Sequence, residues 1–106
     1  MAKYLIKANY TAEGARGFAH DGGTARRAAV EKMLASVGGK LEAFYFAFGD
    51  TDLYVIADMP DHLAAAAVAL TVAQSGKAST STVVLLTAEE MDTASKKTVA
   101  YQPPGG

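Results

Sequence analysis

Leu41-Glu42-Ala43-Phe44-Tyr45-Phe46-Ala47-Phe48, then Gly49-Asp50-Thr51, then Asp52-Leu53-Tyr54-Val55-Ile56-Ala57-Asp58 are two runs of aromatic and β-branched residues joined by turn residues, the pattern of a β-hairpin. Period-two alternation puts Phe44, Phe46 and Phe48 on one side of the first run and Leu41, Ala43, Tyr45 and Ala47 on the other. In the second run Leu53, Val55 and Ala57 oppose Tyr54 and Ile56. Both sides of the hairpin are therefore apolar, whereas one layer of helices covers only one face of a sheet. An exposed apolar face of that kind marks an interface. At about 25 cal/mol per Å² of apolar burial, covering it contributes many kcal/mol before the costs of association. The expectation is a homodimer or higher oligomer in which Tyr45 or Leu53 faces the partner copy.

Before the hairpin, Lys3 to Tyr10 alternates, with Tyr4, Ile6, Ala8 and Tyr10 on one face, which predicts a first strand. Thr11 caps a short helical turn weakened by Gly14 and Gly17, and Asp21-Gly22-Gly23 breaks the chain before Thr24 offers a second cap. Val30, Met33, Leu34 and Val37 recur at helical spacing, Arg27 and Glu31 form an i,i+4 pair, and Gly38-Gly39 stops the helix. The main first helix is thus expected over about residues 24–37. After the hairpin, Pro60-Asp61 opens a helix whose inward stripe is read as Leu63, Ala66, Ala67, Leu70 and Ala73, and Gly76 closes it. Ser79 to Leu86 is a β-branched fourth strand, and Thr87-Ala88-Glu89-Glu90 has the spacing of a capping box. The order is α+β, a ferredoxin-like βαββαβ arrangement with an antiparallel four-stranded sheet and a short C-terminal helix. Residues 1–98 are expected to form one domain and 99–106, with Pro103-Pro104, an extended tail.

The 106 residues suit a single domain. Half are apolar, a fifth are charged, and the net charge is −1, so no global field draws the chain to nucleic acid or to an anionic membrane. Neither is expected as a partner. With no cysteine, disulfides, thiolate catalysis and cysteine-ligated metals are excluded. Lys7 interrupts the N-terminal run before it reaches the length of a signal-peptide core, and the alanine-rich stretch from Leu63 to Leu70 is far short of the roughly 20 residues that span a bilayer. The expectation is a soluble, cytoplasmic protein.

Four stretches, the hairpin's two among them, carry a resemblance. Tyr4-Leu5-Ile6 to Tyr10-Thr11, Gly38-Gly39-Lys40-Leu41 onward to Gly49, Asp52-Leu53-Tyr54-Val55-Ile56, and Thr82-Val83-Val84-Leu85-Leu86-Thr87-Ala88-Glu89-Glu90 together resemble the GYD domain family over nearly the whole chain. Gly49 and Asp52 match that family's glycine and aspartate, while Thr51 stands where its tyrosine would be. The resemblance implies a small bacterial or archaeal protein of the dimeric α/β-barrel type. That class includes cofactor-free monooxygenases, haem-associated enzymes and ligand-sensing domains. It transfers fold and assembly, not a reaction.

Candidate chemistry gathers at His20-Asp21-Gly22-Gly23-Thr24 with Arg26 and Arg27. Glycine-flanked amides at a helix start beside guanidinium groups suit a phosphate or carboxylate, although the signal is weak, the spacing is not that of a P-loop, and a capped helix start is the plainer explanation. Gly22, Gly23, Thr24 and Arg26 are therefore candidate ligand-binding residues. His20, beside Asp21, is the candidate catalytic acid–base group; His62, in a first helical turn beside Asp61, reads as surface. No second histidine stands at ligand spacing, so neither a metal nor a cofactor is expected. Of the tyrosines Tyr4, Tyr10, Tyr45 and Tyr54, Tyr10 and Tyr45 are taken as ligand-orienting phenols, against a plain reading as core and interface. The leading functional reading is a homo-oligomeric small-molecule-binding or accessory protein, its ligand small and anionic or aromatic. The alternative is a cofactor-free enzyme of monooxygenase or isomerase type with His20 as base, and a third is assembly alone.

Overall fold

Alternation at the N-terminus becomes strand β1 (Ala2–Tyr10) in the computed structural model, which describes residues 1–106. There follow helices α1 (Ala12–Asp21) and α2 (Gly23–Ala35), strands β2 (Lys40–Phe46) and β3 (Leu53–Met59), helix α3 (His62–Gln74), strand β4 (Ala78–Leu85) and helix α4 (Ala88–Ser95). The strands form one antiparallel sheet in the order β2-β3-β1-β4, so the fold is α+β and ferredoxin-like. Tyr4, Ile6 and Ala8 of β1 and Leu53, Val55, Ala57 and Met59 of β3 point into one core with Val30 and Leu34 of α2 and Ala64, Ala65 and Val68 of α3. Leu34 and Met59 are completely enclosed. No helix is long and apolar enough to cross a membrane.

Three features differ from the sequence expectation, each for a local reason. The segment after Thr11 is a full ten-residue helix, not a short turn. The Thr11 hydroxyl accepts from the Gly14 amide at 3.2 Å, and the break comes only at Gly22, whose φ of 90° and ψ of 161° suit glycine alone. Strand β2 carries a bulge at Glu42: Leu41 pairs with Ala57 and Ala43 with Ile56. The extra residue reverses the alternation, so Leu41 joins Phe44 against the core instead of lying opposite it. Helix α3 turns the other way from the leucine stripe. Ala64, Ala65 and Val68 are buried, while Leu63 and Leu70 are 67% and 61% exposed. With apolar residues on every side, the helix seats its smaller side chains against β3 and β4, where alanine permits close approach.

Helices cover one sheet face only. On the other, the registers align Ala43, Ile56, Leu5 and Val83 in a row across all four strands. Tyr45, Tyr54, Lys7 and Ser81 form the next row. Lys3 closes one end by reaching Glu42 at 2.6 Å and Asp58 at 3.0 Å. Those hydrogen bonds, to Glu42 foremost, raise the Lys3 amine above its ordinary value. Of the two residues proposed to face a partner, Tyr45 is on this open face, 70% exposed, and Leu53 is core. At the C-terminus Thr87 and Glu90 form the expected capping box, the Thr87 amide donating to the Glu90 carboxylate at 2.8 Å and the Glu90 amide to the Thr87 hydroxyl at 3.1 Å. These bonds hold the Glu90 carboxyl below its usual range. Beyond α4, residues 99–106 form neither helix nor strand.

Candidate functional site

Antiparallel pairing sets the last residue of β1 beside the first of β4, so Tyr10 lies opposite Ala78. Two devices fix this corner. The Asp52 carboxylate, just before β3, accepts from the Tyr10 amide at 2.9 Å, while the Asp52 amide donates to the Ala8 carbonyl at 3.0 Å. On the other side, the Thr11 amide donates to the Lys77 carbonyl at 2.9 Å, and the Thr11 hydroxyl reaches the Gly76 and Lys77 carbonyls at 3.2 Å. Tyr10 is thereby held between the hairpin and the α3–β4 turn. Its ring stacks on Phe18 of α1 at 5.5 Å; Phe18 stacks on Phe46 at 4.6 Å, and Phe46 meets Phe44 edge-on at 5.2 Å.

Behind Tyr10 lies a chamber of about 60 Å³ between the sheet and the helices, with Val30, Met33, Val68 and Val72 in its walls. Eleven of its thirteen lining residues are hydrophobic; the two others are Arg26 and Thr80. In front lies a more polar vestibule of about 310 Å³ that includes Asp21, Thr71, Ser75 and Lys77. Tyr10, Arg26, Val72 and Ala78 belong to both walls, so chamber and vestibule adjoin across these four residues. A third hollow, of about 410 Å³, lies along the outer edge of the aromatic stack and is walled by Phe46, Phe48 and Asp52.

Charge at this corner is uneven. Arg26 is half-buried and has no ion-pair partner, whereas Arg27 lies outside and pairs with Glu31 at 3.6 Å. Burial lifts the Tyr10 phenol above its ordinary range; Arg26 opposes that and Asp52 adds to it. A phenol so placed is protonated at neutral pH and serves as a hydrogen-bond donor, not as a base.

Of the residues singled out in the sequence, the fold brings Tyr10 and Arg26 together and leaves the others elsewhere. The His20 side chain is 89% exposed, 3.1 Å from Asp21, and lines neither chamber nor vestibule. Gly22 is the junction of α1 and α2, Gly23 lies under the Phe46 ring, and Thr24 is exposed in the first turn of α2. Tyr45 is on the far side of the sheet from the chamber. Residues not singled out complete the corner, Phe18, Val72, Lys77 and Ala78, together with Asp52, which the sequence marked only through the family resemblance. The available signal was topological, because βαββαβ pairing puts the end of β1 beside the start of β4. No group of three or more His, Cys, Asp or Glu side chains is gathered to hold a metal ion.

Among curated proteins and solved structures no match to this chain is found. A family model does match, that of the GYD domain, over residues 4–94, a span from Tyr4 of β1 into α4 that takes in all of the sheet but Ala2 and Lys3, and the Tyr10–Arg26 corner. The chain belongs to the GYD domain family.

Proposed function

We propose that this chain is a homo-oligomeric small-molecule-binding or accessory protein whose ligand enters through the vestibule and seats in the chamber behind Tyr10. The sequence reading alone assigns it to the cytoplasm. The chamber is the observation that carries the proposal. Protein interiors are packed with few voids larger than a water, and this hollow of about 60 Å³ adjoins the vestibule across Tyr10, Arg26, Val72 and Ala78. A void of this kind beside a polar entrance has the form of a ligand site, apolar within and furnished with a few convergent polar groups. Oligomerisation is supported by the open sheet face, where the row Ala43–Ile56–Leu5–Val83 has no helix over it. The enzyme alternative needs a base facing a closed pocket, a place His20 does not occupy.

The test is a small-molecule screen by thermal shift on the full chain beside Ala78→Leu. Ala78 is shared by chamber and vestibule, so the larger side chain fills the passage. Compounds that raise the melting temperature of the parent are expected to lose that effect in the variant, whose own melting temperature stays level or rises. Compounds that stabilise both proteins equally, or no stabilising compound at all, would remove the chamber as the site.

A further inference from the structure

Resting on the chamber as a ligand site, we infer that its ligand is a small monocarboxylate with a branched or aryl body, the body seated in the chamber and the carboxylate held by Arg26. Size is the first argument. A single water needs about 10–15 Å³ of such space, so about 60 Å³ admits a body of about four to six non-hydrogen atoms. Its nearly uniform apolar lining rejects a body that carries polar groups, because these would lose their water without replacement.

Charge is the second argument. Arg26 is the one charged residue lining the chamber. The chain's ion pairs involve Lys3, His20 and Arg27, not Arg26. A half-buried guanidinium without a counter-ion favours an anion, and its planar fork matches the two oxygens of a carboxylate. The protonated Tyr10 phenol beside it offers a further donor, and Lys77 adds a second cation in the vestibule. A cationic head group would meet Arg26 as a like charge. Inorganic phosphate would leave the chamber empty and bring its second charge toward Asp21, the one carboxylate lining the vestibule.

Calorimetric titration of the full chain with 4-methylpentanoate, 4-methylpentan-1-ol, 4-methylpentan-1-amine, acetate and inorganic phosphate separates these elements. The carboxylate is expected to bind about ten- to a hundredfold more tightly than the alcohol of the same body, the usual worth of a charge-assisted hydrogen bond. The amine, acetate and phosphate should bind most weakly. Arg26→Gln, at a half-buried position in the chamber wall, should abolish the preference for carboxylate, bringing its affinity down to that of the alcohol, and Lys77→Gln should weaken only the carboxylate, by less. Equal binding of carboxylate and alcohol, or a preference that survives Arg26→Gln, overturns the inference and leaves the chamber reading intact, provided Ala78→Leu still abolishes binding. Phosphate or acetate bound as tightly as 4-methylpentanoate overturns it too. Binding that survives Ala78→Leu counts against the chamber itself.

Discussion

A Cβ built on Gly14 would lie 1.9 Å from the carbonyl oxygen of Lys77, whereas one built on Gly17, three residues along the same helix, meets nothing within 4 Å. The Lys77 carbonyl also receives the Thr11 amide, so α1 docks on the α3–β4 turn through a backbone contact that only glycine allows. Gly14→Ala is expected to destabilise the fold by about 2 to 3 kcal/mol, the upper part of the range for forced overpacking. Gly17→Ala should stabilise it by about 0.5 to 1 kcal/mol by adding helix propensity without strain. Urea unfolding of the two variants checks both signs, and equal effects would remove the docking contact from the account. As letters in a sequence the two glycines are indistinguishable, and both counted against a helix; the distinction lies in Lys77, more than sixty residues away. Arg26 and Arg27 show the same limit. One lines the chamber and its neighbour pairs with Glu31 on the surface, a choice made by helix rotation against the sheet.

Helix α3 shows where hydrophobic period stops being informative. From Leu63 to Ala73 every residue but Thr71 is apolar, so the pattern names no face, and choosing by the largest side chains selects the exposed one. Strand β3 is the opposite case: its alternation survives intact, with Leu53, Val55, Ala57 and Met59 all buried. Strand β2 lies between them, legible from Ala43 to Phe46, inverted at Leu41 by the single extra residue of the bulge, and ended before Phe48, which is fully exposed and does not join Phe44 and Phe46 on the strand. Element order and topology were thus readable from period and turn chemistry, while helix rotation and bulge position depend on what each element packs against. The orientation of α3 can be tested directly. Val68→Ala should cost about 1.5 to 3 kcal/mol, two methyl groups and the space they leave, and Leu70→Gln should stay within about 0.5 kcal/mol, as surface changes do. Chemical denaturation at low protein concentration measures both, and a larger loss for Leu70→Gln would restore the leucine stripe as the inward face.

Seen in full, the chain is extended for its length. Its radius of gyration is 16.8 Å, against about 13 Å for a compact domain of this size, and its longest dimension is 56 Å against 32 and 23 Å for the others. The excess belongs to the C-terminal end, where α4 buries no residue and 96–106 are exposed throughout. Leu86, Met91, Val99 and Tyr101 are carried outward there, while the open sheet face presents Tyr45, Tyr54 and Val83. One chain therefore holds two apolar surfaces that do not cover each other, and in the proposed oligomer a second copy, related by a two-fold axis, would cover them. The proposed oligomer should sediment at micromolar concentration as at least twice the 11.0 kDa chain. Tyr45→Glu and Val83→Glu, which place charge on the open face without touching the core, should dissociate or precipitate it. Removing residues 99–106 discriminates the part of the arm: if Tyr101 packs on the partner, the truncated protein melts at a lower temperature; if it melts unchanged in the same oligomeric state, the sheet faces alone hold the copies together. A clean 11.0 kDa species for the intact chain would remove the oligomer, and the row Ala43–Ile56–Leu5–Val83 would then need a different cover.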